Sequence, residues 1–127
     1  MAKKILFIED EQTLQKTLGD ILRKEGYEVV SALNGEIGLR LAKTDKPDLI
    51  LLDLILPVVD GFEVLKHIKN DPKIREIPII VLTNLDKMED VERALQAGAT
   101  TYLIKTDYGL AEVIEKIKKV IGEQDSK

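Results

Sequence analysis

The chain has 127 residues, 44% hydrophobic and 33% charged, a length and balance suited to one folded domain with a real core and not to a disordered chain. Its formal charge of −4 argues against a broad electrostatic grip on nucleic acid or on an anionic membrane. With no cysteine, disulfides, cysteine metal sites and thiol nucleophiles are excluded.

Met1-Ala2-Lys3-Lys4 leads into the apolar run Ile5 to Ile8, too short for a signal-peptide core or a membrane span, so a cytoplasmic protein is expected. That run reads as a first buried strand and closes on Glu9 and Asp10. Leu14, Leu18, Ile21 and Leu22 follow helical spacing, with Gly26 as a stop signal. A second strand runs from Tyr27 to Ala32, and Asn34 precedes a helix marked by Ile37, Leu41 and Ala42. The third strand, Leu49 to Leu52, closes on Asp53. Asp60 with Glu63 resembles an acidic capping box that opens a helix through Phe62, Leu65 and Ile68. His67, among Lys66, Lys69 and Asn70, reads as a solvated histidine of that helix. The fourth strand, Ile79 to Leu82, ends at Thr83. A second capping box, Asp86 with Glu89, precedes Met88, Val91 and Leu95, with Gly98 as the stop. The fifth strand, Thr101 to Ile104, ends at Lys105. Leu110, Val113, Ile114, Ile117 and Ile121 form the last helical pattern, with Gly122 as its stop. Glu115 to Lys119 reads as the solvated face of that helix. The domain is set at 1–122, and 123–127 is a polar C-terminal tail.

Strict alternation of strand and helix predicts an α/β fold: a doubly wound five-stranded parallel sheet, order 2-1-3-4-5, with helices on both faces, flavodoxin-like. In that order the first and third strands are neighbours at the topological switch point. Asp10 then lies beside Asp53 at the carboxyl edge, where open α/β sheets bind ligands, and Glu9 joins them. Two like charges about 4 Å apart repel by roughly 4 kcal/mol at an effective dielectric near 20, so bare clustered acids favour a cation. Magnesium prefers oxygen ligands in an octahedron, with Asp10 and Asp53 as direct ligands and Glu9 acting through water. Thr83 can donate to a phosphoryl oxygen, and Lys105 can neutralise a carboxylate or a phosphoryl group. Phosphoryl transfer asks for in-line positioning, a metal and such partners, which makes Asp53 the candidate nucleophile.

The acidic pair in ILFIEDE, Asp53 in LLDLILPVVDGFEVL, Thr83, and Lys105 in YLIKT stand in the order found in receiver domains of bacterial two-component response regulators. The chain resembles that family, in its chemotaxis-type single-domain form, over essentially its whole length, and Pro57, Asp60 and Gly61 match the loop after the acceptor. The resemblance implies a phosphoprotein that takes a phosphoryl group on Asp53 from a sensor histidine kinase or a phosphotransfer protein. Mg2+ would be the cofactor, held by Glu9, Asp10, Asp53 and the backbone carbonyl of Ile55. It implies a switch that assists its own phosphorylation and dephosphorylation and is not an enzyme acting on external substrates. Thr83 and Tyr102 would be the switch residues. A downstream protein target would read the face of the fourth helix, fifth strand and fifth helix. No direct nucleic-acid or membrane partner is implied, and the last helical face is a candidate homodimer surface.

Two departures stand out. Asn84 replaces the small residue common after the threonine, where its amide narrows the path to Asp53 or adds a hydrogen bond to the phosphoryl group. Thr106 replaces the usual proline, and since a cis bond before a non-proline residue costs about 2.5 to 4 kcal/mol, a trans Lys105–Thr106 bond is expected. Leu56, where methionine is frequent, conserves volume and should be silent. Among other readings, an aspartyl-phosphate hydrolase would need an acid two residues after Asp53, where Ile55 stands. A nucleotide-binding domain would need a glycine-rich phosphate loop that is absent. A receiver-like interaction module that works without phosphorylation is the alternative left by Asn84 and Thr106.

Overall fold

The computed structural model describes residues 2–125, with side chains described up to Gly122. Five strands, β1 (Lys4–Ile8), β2 (Glu28–Ala32), β3 (Leu49–Leu52), β4 (Ile79–Thr83) and β5 (Thr101–Ile104), form one parallel sheet in the order β2-β1-β3-β4-β5. The helices are α1 (Gln12–Lys24), α2 (Gly35–Asp45), α3 (Gly61–Lys69), α4 (Met88–Gln96) and α5 (Leu110–Asp125), with a 3-10 turn over Lys105–Asp107. This is the doubly wound order expected from the alternation of patterns.

Side chains alternate across a strand, so a run that is apolar at every position feeds two cores. Leu6, Ile8, Ile50, Leu52, Ile79 and Val81 pack with Ala42 of α2, Phe62 and Leu65 of α3 and Ala94 of α4. Ile5, Phe7, Leu49, Leu51, Ile80 and Leu82 pack on the other face with Leu18 and Leu22 of α1 and Val113 and Ile117 of α5. Both faces are dry, which leaves the strand ends as the place for polar chemistry.

Helix ends follow the sequence signals at most positions. Gly26 (φ 99°) and Gly98 (φ 111°) take left-handed backbone after α1 and α4. Bonds from the amides of Tyr27 to the Leu22 carbonyl (3.1 Å) and of Ala99 to the Ala94 carbonyl (3.0 Å) close these ends. Asn34 and Asp60 cap α2 and α3 by accepting from the amides of Ile37 (2.8 Å) and Glu63 (3.1 Å).

Three expectations need correction. Asp86 does not cap α4, because the residue at the cap is Lys87, which makes no side-chain cap bond. Gly122 does not stop α5, which runs on to Asp125: an interior glycine costs a helix about 1 kcal/mol without ending it unless the backbone turns left-handed. The first three residues of the expected tail thus continue α5, and Ser126 and Lys127 lie outside the described residues. The stripe of Met88, Val91 and Leu95 is also not the buried face of α4. Met88 is 69% and Leu95 45% exposed, while the small Ala94 is fully buried. Arg93, one position earlier, lays its guanidinium 3.9 Å over the Phe62 ring, joining α4 to α3 by a cation–π contact.

Candidate functional site

Register brings the acids together. Ile8 pairs with Leu52, so the residues that follow them, Glu9 and Asp53, leave neighbouring strands at one level. The Asp53 amide donates to the Ile8 carbonyl at 3.0 Å and the Glu9 amide to the Ala32 carbonyl at 2.9 Å, which carries the pairing one step past the strand ends. Glu9, Asp10 and Asp53 each offer a carboxylate oxygen within 4.8 Å of the others, the one such group among the described residues. Glu9 and Asp53 are buried and Asp10 is exposed.

Lys105 enters from the far side. Its Nζ lies 2.9 Å from Glu9 Oε1, 3.1 Å from Asp53 Oδ2 and 3.6 Å from Glu11 Oε1. The other Asp53 oxygen, Oδ1, accepts from the Ile55 amide at 3.2 Å. The Asp53 carboxylate is therefore held at both oxygens. Behind it, α3 starts in direct contact with the backbone of Asp53 and Leu54. The Gly61 amide donates to the Leu54 carbonyl at 2.9 Å, and a Cβ on Gly61 would collide with the Asp53 carbonyl and Leu54 Cα. The Lys105–Thr106 bond is trans, as expected from a non-proline residue there.

Thr83, fully buried, and Tyr102, partly buried, meet through one residue. The Leu85 amide points to Thr83 Oγ1 at 3.5 Å, a long bond, and the Leu85 carbonyl accepts from the Tyr102 hydroxyl at 2.9 Å. Asn84 is exposed and, with Glu11, Lys105, Thr106 and Tyr108, lines a groove of about 300 Å³ beside the acids. His67 is solvated, 3.9 Å from Glu63 on its own helix, and takes no part in the site.

Burial pushes the Glu9 carboxyl up to about 7, opposed by its hydrogen bond to Lys105 and reinforced by the Asp53 charge. Lys105 is raised: burial acts to lower it, but Glu9 and Asp53 together outweigh that. Burial, with the charges of Asp90, Asp53 and Asp86, pushes the Tyr102 phenol up to about 12, so it stays a hydrogen-bond donor at neutral pH.

Two residues of the site were not read from the sequence. Glu11 is the third acid near Lys105, and it escapes any rule that looks for acids at strand ends because it lies in the following turn. Gln15 is 7% exposed, and its amide Nε2 donates to the carbonyls of Phe7 (2.8 Å), Glu9 (3.1 Å) and Ala32 (3.1 Å). The signal for it is its spacing: Gln15, Leu18 and Leu22 form the buried stripe of α1, a polar member in an otherwise apolar series.

The donor set suits magnesium. All three acids offer hard oxygens, and opposite ligands of an octahedral Mg2+ stand about 4.2 Å apart. An exposed Asp10 side chain has the freedom to close that gap.

Comparison with known proteins agrees with this geometry. The model of the response regulator receiver domain matches residues 5–118. The chain is 37% identical to the polar-differentiation response regulator DivK of Brucella anthropi over 123 residues, 97% of this chain and 99% of that protein. A CheY-like receiver domain protein of Methanospirillum hungatei superposes with a TM-score of 0.90 at 31% identity, covering 98% of each chain. The receiver domain of the sensor histidine kinase PA1611 of Pseudomonas aeruginosa, solved with a magnesium ion coordinated in its active-site cleft, superposes with a TM-score of 0.86 at 34% identity. That match covers 96% of this chain and 99% of the other.

Proposed function

The chain belongs to the response regulator receiver domains, the signalling switches of two-component systems, and on that premise we propose that Asp53 is its phosphoacceptor. The donor is a phosphohistidine of a sensor histidine kinase or a phosphotransfer protein. An Asp53 carboxylate oxygen forms a bond to phosphorus as the bond from phosphorus to the histidine nitrogen breaks. The electron pair stays on that nitrogen, which takes up a proton from solvent. Reversal of the switch is hydrolysis: water adds to phosphorus, the Asp53 oxygen leaves, and inorganic phosphate departs.

The observation that carries this reading is the Asp53 carboxylate fixed at both oxygens, by Lys105 at 3.1 Å and the Ile55 amide at 3.2 Å, beside two further acids. A buried carboxylate held in one orientation is prepared for in-line attack at little further entropic cost. Asp10, Asp53 and the Ile55 carbonyl are the direct ligands we assign to Mg2+, with Glu9 reaching it through water. Bound there, the ion would neutralise charge on the transferring oxygens. Lys105 is the second positive partner. It faces Glu9 as well as Asp53, so it can turn toward a phosphoryl group without losing all its carboxylate contacts. Lys105, which bonds Asp53, also lines the groove with Asn84, Thr106 and Tyr108, and there the departures at Asn84 and Thr106 would act on the rates.

The Thr83 hydroxyl is weakly engaged by Leu85 and is free to donate to a phosphoryl oxygen. Movement of Thr83 would shift the backbone of Leu85 through its amide, and the carbonyl of the same residue holds Tyr102. That link carries the chemistry to α4, β5 and α5, where Met88 and Leu95 lie exposed for a downstream protein target. No described helix is long and apolar enough to cross a membrane. We place this switch in the cytoplasm, within residues 1–122.

Addition of Mg2+ and beryllofluoride should form a complex that moves the amide NMR signals of Thr83, Leu85 and Tyr102 and does not form with Asp53→Asn. A complex that leaves those three signals unmoved would refute the coupling, and one that forms on Asp53→Asn would refute the acceptor.

A further inference from the structure

We propose that Gln15 is a positioning residue of the acidic metal site: its amide sets the turn from which Glu9 and Asp10 project. This rests on the reading that these acids hold Mg2+.

The pairing of β1 with β2 ends at Ile8 and Ala32. Beyond it, the chain passes through Glu9, Asp10 and Glu11 to start α1 at Gln12, and the carbonyls of Phe7, Glu9 and Ala32 meet Gln15 in buried contacts. A buried carbonyl left without a donor costs about 1 to 3 kcal/mol. Gln15, one turn into α1, reaches back and gives its two amide hydrogens to three of them, those of Phe7, Glu9 and Ala32, so at least one hydrogen is shared. The Ala32 carbonyl also accepts from the Glu9 amide at 2.9 Å. One side chain thus ties the last stretch of β1, the end of β2 and the backbone of Glu9 into a single unit.

The turn is fixed from the other side by Glu9 itself, whose Oε2 accepts from the Glu11 amide at 3.0 Å. Gln15 acts on the backbone of Glu9 and Glu9 acts on the backbone of Glu11, with Asp10 between the two anchors. Asp10 is the exposed member of the acid group, and among the described residues no hydrogen bond directs its carboxylate. Its position is therefore set by the backbone, and the backbone is set by Gln15. The amide orientation is dictated by the three carbonyls, which leaves Gln15 Oε1 buried without a hydrogen-bond partner among the described residues. An apolar residue would avoid that cost, as at Leu18 and Leu22 of the same stripe. The retained amide is explained by what it holds.

The test is a Mg2+ titration of the full chain followed by the amide NMR signals of Glu9, Asp10 and Asp53, in the parent, Gln15→Met and Ile117→Val. Methionine keeps the length and volume and lacks the donors. Loss of a partner that orients a metal ligand costs about 10- to 100-fold in affinity, so the Mg2+ dissociation constant should rise at least about tenfold in Gln15→Met. Ile117→Val, a core change in α5, should lower thermal stability and leave the constant unchanged. Equal constants in the parent and Gln15→Met overturn the proposal, as does an equal rise in Ile117→Val, which would make the effect general loosening. The parent alone gives a second reading, valid even if Gln15→Met does not fold. The Gln15 side-chain amide signals should move with the same Mg2+ midpoint as Asp10, and signals that stay still overturn the proposal. Absence of any saturable Mg2+ effect in the parent would instead refute the metal reading of the acids, and the role of Gln15 with it.

Discussion

Lys105 Nζ stands 2.9 Å from Glu9 and 3.1 Å from Asp53, so one ammonium is shared between two buried carboxylates. Its removal leaves two buried carboxylates without their cation, and breaking a buried pair on one side costs about 3 to 5 kcal/mol. Lys105→Met should therefore be markedly less stable than the parent without metal. Mg2+ should raise its thermal midpoint by more than it raises that of the parent, because the ion replaces the missing charge. Thermal melts with and without Mg2+ check this, and an equal Mg2+ effect in both proteins would contradict it.

Glu9 sets a pH dependence whose sign differs from that of an ordinary ion-paired carboxylate. Its folded-state pKa is raised from 4.5 to about 7, so between those values the folded protein binds the extra proton. Its contribution to stability is full below about pH 4.5 and is lost as pH rises through about 7. Glu9→Gln has no such loss, so metal-free Glu9→Gln should gain stability relative to the parent between pH 5 and pH 8. Mg2+ needs the ionised form, and its affinity for the parent should fall as pH drops below about 7. Urea titrations at the two pH values are the check, and a constant difference between the proteins would refute the assignment.

Val58 sits at φ 72° with 71% of its surface exposed, in a tight turn closed by the Val59 amide on the Pro57 carbonyl at 2.9 Å. Left-handed backbone costs an L residue about 1 to 2 kcal/mol, and a β-branched one is strained further. Glycine removes that strain but costs part of it back through a freer unfolded chain. Val58→Gly should stabilise the protein by about 1 kcal/mol in chemical denaturation.

Tyr102→Phe removes the donor to the Leu85 carbonyl and little else. A buried carbonyl without its donor costs about 1 to 3 kcal/mol, at the low end here because the site is partly solvated. The amide of Leu85 should exchange hydrogen faster in Tyr102→Phe, and unchanged exchange would show that the hydroxyl does not hold that loop.

The sheet order and the meeting of Glu9, Asp10 and Asp53 were legible because buried parallel strands read as unbroken apolar runs. Their register then follows from the residues that end them. Lys105 and Thr83 were legible for the same reason. Lys105 proved to be bonded to Glu9 as closely as to Asp53, which a linear pattern cannot express because it depends on the reach of a flexible side chain. Gln15 was missed since an amide within a helical stripe shows no periodicity of its own, and its partners are backbone carbonyls that carry no sequence signal. The face of α4 was misjudged because its contact with the core uses Ala94, which contributes little to a hydrophobic pattern, while Arg93 reaches Phe62 of α3 through its guanidinium. Gly122 looked like a stop because a glycine at a helix end and one inside a helix differ only in backbone angle.

The most direct test of Asp53 as acceptor is intact mass after incubation with acetyl phosphate, with and without Mg2+, for the parent and Asp53→Asn. The parent should gain one phosphoryl group, only with Mg2+, and Asp53→Asn none. Phosphate uptake by Asp53→Asn, or equal uptake by the parent without metal, would contradict it.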